Sequence, residues 1–193
     1  DETETIYVID DGCGMSKEKL TDCASLFVHV SKEGGDGNGK FGVGLKAAMI
    51  KLSGTNHPSY IYSKSKNSNE VNELEIDWCD IIKANQILLK AHGITSKSEK
   101  DTWNKYGPFE SESGTLLKLK CDSSVYKDFT TNFNELTKEI RLTYSKSIIE
   151  KIVTICVKRC VTEDINTTEM ITADDPLGVE NIGNGPYIID FIV

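Results

Sequence analysis

The 193-residue sequence contains no CxxC pair. Its six cysteines, Cys13, Cys23, Cys79, Cys121, Cys156 and Cys160, are scattered, and Cys156-x3-Cys160 lacks the second Cys or His pair that a zinc module requires. Reduced thiols, as in cytoplasmic or nuclear proteins, fit this spacing better than a disulfide framework. His29, His57 and His92 show no ligand spacing either, and no metal site is expected. No apolar run approaches the roughly 20 residues of a membrane span, and no charged n-region precedes an apolar h-region, so no membrane partner is expected. Positive charge is in short supply. With 22 Lys and Arg against 30 Asp and Glu, the net charge is −8 and the pI near 5.0. That balance argues against a sequence-independent nucleic-acid surface on this segment, though not against a DNA-acting assembly whose basic surface lies elsewhere. Internal repeats and coiled-coil heptads are absent. The chain begins on "DETETIYVID", with no initiator Met, and runs straight into a strand, as a piece of a longer protein would.

What is present is ordinary globular material, 38% hydrophobic and 27% charged, long enough to bury a core as one domain or one and a fraction. "TIYVID" (5–10) reads as a strand ending at Asp-Asp-Gly. Ser16 is placed to cap a helix whose stripe is Leu20, Cys23, Ala24 and Phe27. "VHVSKEGGDGNGKF" (28–41) has loop composition. A second stripe, Leu45, Ala48, Met49 and Leu52, predicts a helix from about Val43. Strands are expected at 59–65, 71–78, 114–120 and 151–158, a long helix through Phe133, Leu136, Ile140 and Tyr144, and a last strand at "YIIDFIV". Residues 91–113 read as a long polar loop. The order β-α-loop-α-β-β-β-α-β indicates a layered α/β domain, not the alternating βαβ of a doubly wound sheet. The expected division is 1–125 and 126–193, the second part completing the domain or leading into another.

Six glycines fall between Gly34 and Gly44, just ahead of the second helix. Glycine lets backbone approach a ligand closely, and so many before a helix suggest a phosphate cradle. A P-loop would use Gly34, Gly39 and Lys40, but Phe41 stands where that motif needs a hydroxyl for Mg²⁺. A dinucleotide fingerprint would use Gly37, Gly39 and Gly42, but no strand precedes it and the following strand ends in Ser63 and Lys64, not in an acid. A third pattern uses both glycine sites. "IDDGCGM" (9–15) is DxGxGM at a strand end, and "GKFGVGLK" (39–46) is GxxGxGxK opening a helix.

These two motifs, in this order and spacing, resemble those of the GHKL ATPases: gyrase B, the ninety-kilodalton heat-shock chaperones, histidine kinases and MutL. "GKFGVGLKAA" looks most like the loops of MORC-like, chaperone-like and topoisomerase VI B-type members, and "ESGTLLKL" is similar to the family's later Gly-Thr strand. The resemblance covers about residues 5–120. It implies a two-layer α/β sandwich with a mixed sheet (the Bergerat-type ATP-binding fold), ATP and Mg²⁺ as cofactors, and a nucleotide-dependent homodimer that acts as a clamp, with DNA reached through other regions. It also implies roles for individual residues. Asp10 would accept from the adenine amine, with Gly12 and Gly14 turning beneath the purine and Met15 packing on it. Thr115 would reach the same pocket through its hydroxyl, by way of water. Residues 28–41 would form the ATP lid. Gly39, Lys40, Phe41, Gly42, Val43, Gly44 and Leu45 would surround the phosphates, and Lys46 would add a charge. The family's water-activating Glu and Mg²⁺-binding Asn lie on a helix before the first strand, and "NFNELTKEI" (132–140) falls after the sheet and is no substitute. No catalytic residue is therefore assigned, and ATPase activity is expected provided such a helix exists upstream in the intact protein. A chaperone-like ATPase, or a module that binds nucleotide without hydrolysing it, is the alternative to a DNA or chromatin clamp.

Overall fold

A computed structural model describes residues 4–24, 43–84, 89–108, 112–162 and 165–173. The chain divides into two compact units, Asp1–Tyr126 and Lys127–Val193. The first is built on a five-stranded sheet in the order β1-β5-β2-β3-β4, with β1 Thr5–Asp10, β2 Ser59–Lys64, β3 Val71–Ile76, β4 His92–Gly93 and β5 Gly114–Lys120. All four pairings among these strands are antiparallel. The parallel component of the expected mixed sheet is therefore not found among the described strands.

The strands alternate, and the two faces differ in kind. One face carries Ile6, Ile61, Leu74, Ile76 and Leu119, all buried. Two helices cover it: α1 (Lys17–Ala24) packs on β3 and α2 (Gly44–Ser53) packs on β5. The hydroxyl of Ser59 on β2 meets that of Ser53 on α2 at 3.2 Å, which fixes the side on which α2 lies. Ser16 caps α1 as its side chain predicts, its Oγ accepting from Lys19 N at 3.3 Å.

α2 is rotated from the sequence expectation. Its buried residues are Lys46, Met49 and Ser53, whereas Leu45 is exposed. The apolar stripe misled because one of the positions facing the protein is a lysine, and Val43, Leu45 and Ile50 are left in solvent.

The region 91–113, expected to be a loop, contains a helix, α4 (Lys97–Tyr106). It begins with a complete capping box. Ser96 Oγ accepts from Glu99 N at 3.2 Å, and Glu99 Oε2 accepts from Ser96 N at 3.0 Å. This helix crosses the second sheet face. Thr102 donates to Tyr62 on β2, and Tyr106 stacks on Tyr7 of β1 with ring centroids 4.0 Å apart. The two-layer plan of helices over sheet thus gains partial cover on its other side. A short helix, α3 (Trp78–Ala84), follows β3.

After α5 (Ser123–Thr131), the second unit holds α6 (Phe133–Ile149) and an antiparallel pair, β6 (Cys156–Thr162) with β7 (Ile165–Met170). Its core is Ile140, Ile148, Ile155, Val157 and Ile171, flanked by Phe133 and Leu136. Arg141 Nη2 donates to Glu169 Oε1 at 2.6 Å, tying α6 to β7. The expected last strand, "YIIDFIV", and the turns before it lie outside the described residues.

Candidate functional site

At one end of the sheet the strand register assembles a row of polar residues. Asp10 ends β1 opposite Thr115 on β5, Thr115 lies opposite Ser63 on β2, and Ser63 lies opposite Asn72 on β3. Alternation turns all four to the face covered by α1 and α2. Sequence reasoning named only Asp10 and Thr115, at the β1 end of the row.

Ser63 joins the row together. It is fully buried, and its Oγ donates to Gly114 O at 3.1 Å, lies 3.2 Å from Thr115 Oγ1 and accepts from Met15 N at 2.8 Å. Thr115 in turn donates to the Asp10 carboxylate, which also accepts from Gly12 N at 3.0 Å. A chain of hydrogen bonds therefore runs from Met15 N through Ser63 and Thr115 to Asp10. Asn72 is buried, and its Oδ1 has no hydrogen-bond partner among the described residues.

Asp10 is open to solvent, yet the protein around it desolvates the carboxyl enough to raise its pKa. The bonds from Gly12 and Thr115 pull the other way and do not fully compensate. A carboxylate that is under-solvated in the absence of ligand is well prepared to accept a donor from one.

Two glycines set the backbone beside it. Gly14 has φ +62°, and a Cβ there would lie 1.9 Å from Lys64 O. The turn passes too close to β2 for any side chain, and Lys66 N donating to Cys13 O at 3.0 Å holds it there. Gly114 is as confined, since a Cβ would fall 2.3 Å from Asp10 O and 2.5 Å from Pro108 Cγ. Ser113 Oγ donates to Gly12 O at 2.8 Å and ties the two loops together. The strand end is therefore closely specified: a carboxylate, a hydroxyl and two backbone turns are held within one hydrogen-bonded unit.

α2 begins differently. Its N-cap is Val43, which makes no side-chain cap hydrogen bond, so the first amides of the helix lack that satisfaction. Gly44 opens the helix with nothing within 4 Å of a Cβ placed on it. Lys46 is 4% exposed, on the buried side of the helix. It lies near Cys23 of α1, where its charge opposes the burial that pushes that thiol up to about 11. Gly39, Lys40, Phe41 and Gly42, with most of the expected lid, lie outside the described residues.

Residues 1–113 match the histidine kinase-, DNA gyrase B-, and HSP90-like ATPase family. The chain belongs to this family. No curated protein matches it. Membership makes the first unit an ATP-binding domain of the GHKL type. The GHKL match spans α1 to α4 and β1 to β4, and it ends immediately before Gly114 and Thr115. Among the described residues, no helix is long and apolar enough to cross a membrane.

Of the residues that sequence reasoning missed, Ser113 lies within "ESGTLLKL", just before Gly114 and Thr115, while Ser63 and Asn72 carry no motif and only the strand register could have found them. Ser63 lies opposite Thr115, and a sheet order placing β2 beside β5 is a prerequisite for seeing it.

Proposed function

We propose that ATP binds with its adenine at the Asp10 end of the sheet and its phosphates at the start of α2. The observation that carries this reading is the Met15–Ser63–Thr115–Asp10 hydrogen-bond chain, which ends on a desolvated carboxylate beside a tight glycine turn. Asp10 accepts the exocyclic amine, while Thr115 orients the carboxylate and, with a water, reaches the ring. Gly12 and Gly14 leave room for the purine, and Met15 packs on it. At α2 the uncapped amides and the helix dipole favour phosphate, with Val43, Gly44 and Leu45 at the entrance. Lys46 adds positive charge from the buried side of the helix. Gly39, Lys40, Phe41 and Gly42 complete the cradle from the lid, 28–41.

The fuller proposal is an ATPase clamp. ATP closes the lid, the closed lid supports a homodimer contact, and hydrolysis reopens it. DNA or chromatin is the substrate we favour, in a cytoplasmic or nuclear MORC-like setting. Mg²⁺ would neutralise phosphate charge. The described residues at this end provide no carboxylate cage for it, so its ligands would be phosphate oxygens, water and the family's Asn.

Light scattering with a non-hydrolysable ATP analogue and with ADP tests the clamp, and phosphate release tests turnover. Dimerisation with the analogue but not ADP, together with turnover, supports it. Saturable binding of the analogue without turnover replaces it with a nucleotide-gated interaction module, and saturable binding of neither nucleotide overturns the site.

A further inference from the structure

On the sheet face opposite the nucleotide row, the register brings together a second set of chemistry-bearing side chains. Glu73 on β3 lies opposite His92 on β4, and α4 delivers Glu99 over the pair. One ligand atom from each of these residues lies within 4.8 Å of the other two. Nothing along the chain signals this, because 26 positions separate Glu73 from Glu99 and His92 has no ligand-spaced neighbour.

The oxygen inventory leaves specific atoms for a ligand. Glu99 Oε2 is occupied by Thr95 N at 2.6 Å and Ser96 N at 3.0 Å in the helix cap. Glu99 Oε1 is turned to His92, 3.9 Å from Nε2, too far for a hydrogen bond. Glu73 accepts from the Tyr62 hydroxyl, yet it is 4% exposed and its Oε2 has no partner among the described residues. A buried carboxylate oxygen without a donor is costly, and the second carboxylate beside it adds repulsion. Tyr62 is the neutral neighbour, and Glu75 adds further negative charge to Glu73. The unmet demand is for a cation.

We infer that Glu73, His92 and Glu99 form a binding site for a first-row divalent cation of the Zn²⁺ or Co²⁺ type. One imidazole and two carboxylates suit such ions, whereas Mg²⁺ prefers an all-oxygen octahedron and keeps its waters. Three protein ligands leave a position for water. His92 is half exposed, so its ring has room to close on the ion. The ion pins the N-terminal turn of α4 to the β3–β4 edge. The far end of the same helix carries Tyr106 against Tyr7 and leads into Pro108 beside Gly114. The site is independent of the nucleotide assignment.

Titration of the full chain with Zn²⁺ by calorimetry, and with Co²⁺ by visible absorption, tests this. One ion should bind per chain, without the near-ultraviolet thiolate charge-transfer band that cysteine ligation would give. His92→Ala, at an exposed position, and Glu73→Gln, of equal size, should each weaken binding at least about tenfold. Cys13→Ser should change nothing. Absence of saturable binding, retained affinity in His92→Ala, or loss of binding in Cys13→Ser would each overturn the site. His92→Ala keeps the test decisive if Glu73→Gln does not fold.

Discussion

Replacing Asp10 with Asn separates ligand recognition from fold stability, because the two should move in opposite directions. Burial raises the pKa of Asp10 above its ordinary value of 3.8, against the pull of Gly12 N and Thr115. A carboxyl with a raised folded-state pKa penalises the fold once it ionises. The penalty is absent below the unfolded pKa and grows as pH rises through the folded value. Asn keeps an oxygen that can accept from Gly12 and Thr115 and carries no charge. The free variant should therefore melt at or above the wild-type temperature near pH 7, and the difference should vanish as pH falls toward 3.8. ATP should bind more weakly, since the charge-assisted bond to the adenine amine is lost and the amide can present a donor to it. A hydrogen bond to a charged group is worth about 1.5–3 kcal/mol, or roughly ten- to a hundredfold in affinity. Calorimetry with ATP, paired with thermal melts across pH, reads both quantities. Unchanged affinity would remove Asp10 from the adenine. A parallel fall in stability and affinity would show that Asp10 acts through the fold.

The two glycines at the proposed phosphate and adenine ends should respond differently. Gly44→Ala meets no atom and favours the helix by up to about 1 kcal/mol, so the free protein should be as stable or more so, while ATP weakens more than adenosine. Equal affinity of the variant for both ligands relative to wild type would detach α2 from the phosphates. Gly14→Ala should cost about 1–2 kcal/mol for the left-handed backbone alone, and more from the approach to Lys64 O, read as a lower melting temperature. An unchanged melting temperature would contradict that geometry. Ser63→Ala leaves Met15 N without its partner and should destabilise by about 1–3 kcal/mol, with ATP affinity falling as Thr115 loosens. Denaturant melts and titrations showing neither effect would deny Ser63 its joining role. Cys13 is exposed, whereas burial holds Cys23 and Cys121 at about 11, so alkylation at mild pH should mark Cys13 ahead of those two and ATP should slow it. Labelling of Cys13 that ignores saturating ATP would place the nucleotide elsewhere.

The parts of the fold legible in the sequence are those where local signals and tertiary demands agree. β1 ends at Asp10 where the DxGxGM motif begins, Ser16 caps α1, and Gly14 and Gly114 stand where no side chain fits. α4 was also written in the sequence, as Ser96-x-x-Glu99, but its polar composition hid it. Its contact face is Glu99, Thr102 and Tyr106, with no aliphatic stripe to detect. The orientation of α2 was not legible, because burying Lys46 in place of Leu45 is a tertiary decision. Ser63 and the Glu73–His92–Glu99 group share the same cause. Ser63–Thr115 and Glu73–His92 are cross-strand relations fixed by sheet order and register, and Glu99 joins from a helix packed over the sheet, none of which spacing along the chain encodes.

Amide chemical-shift mapping with a non-hydrolysable ATP analogue tests most directly whether ATP occupies the Asp10 end of the sheet. Shifts should concentrate at residues 10–15, 63–66 and 113–115 and at the first turn of α2, saturating at one nucleotide per chain, with a GTP analogue at least about tenfold weaker. The β4 and Glu99 amides on the opposite face should move little. Shifts scattered over the surface, centred on another part of the sheet, or equal for the two nucleotides would contradict the central claim.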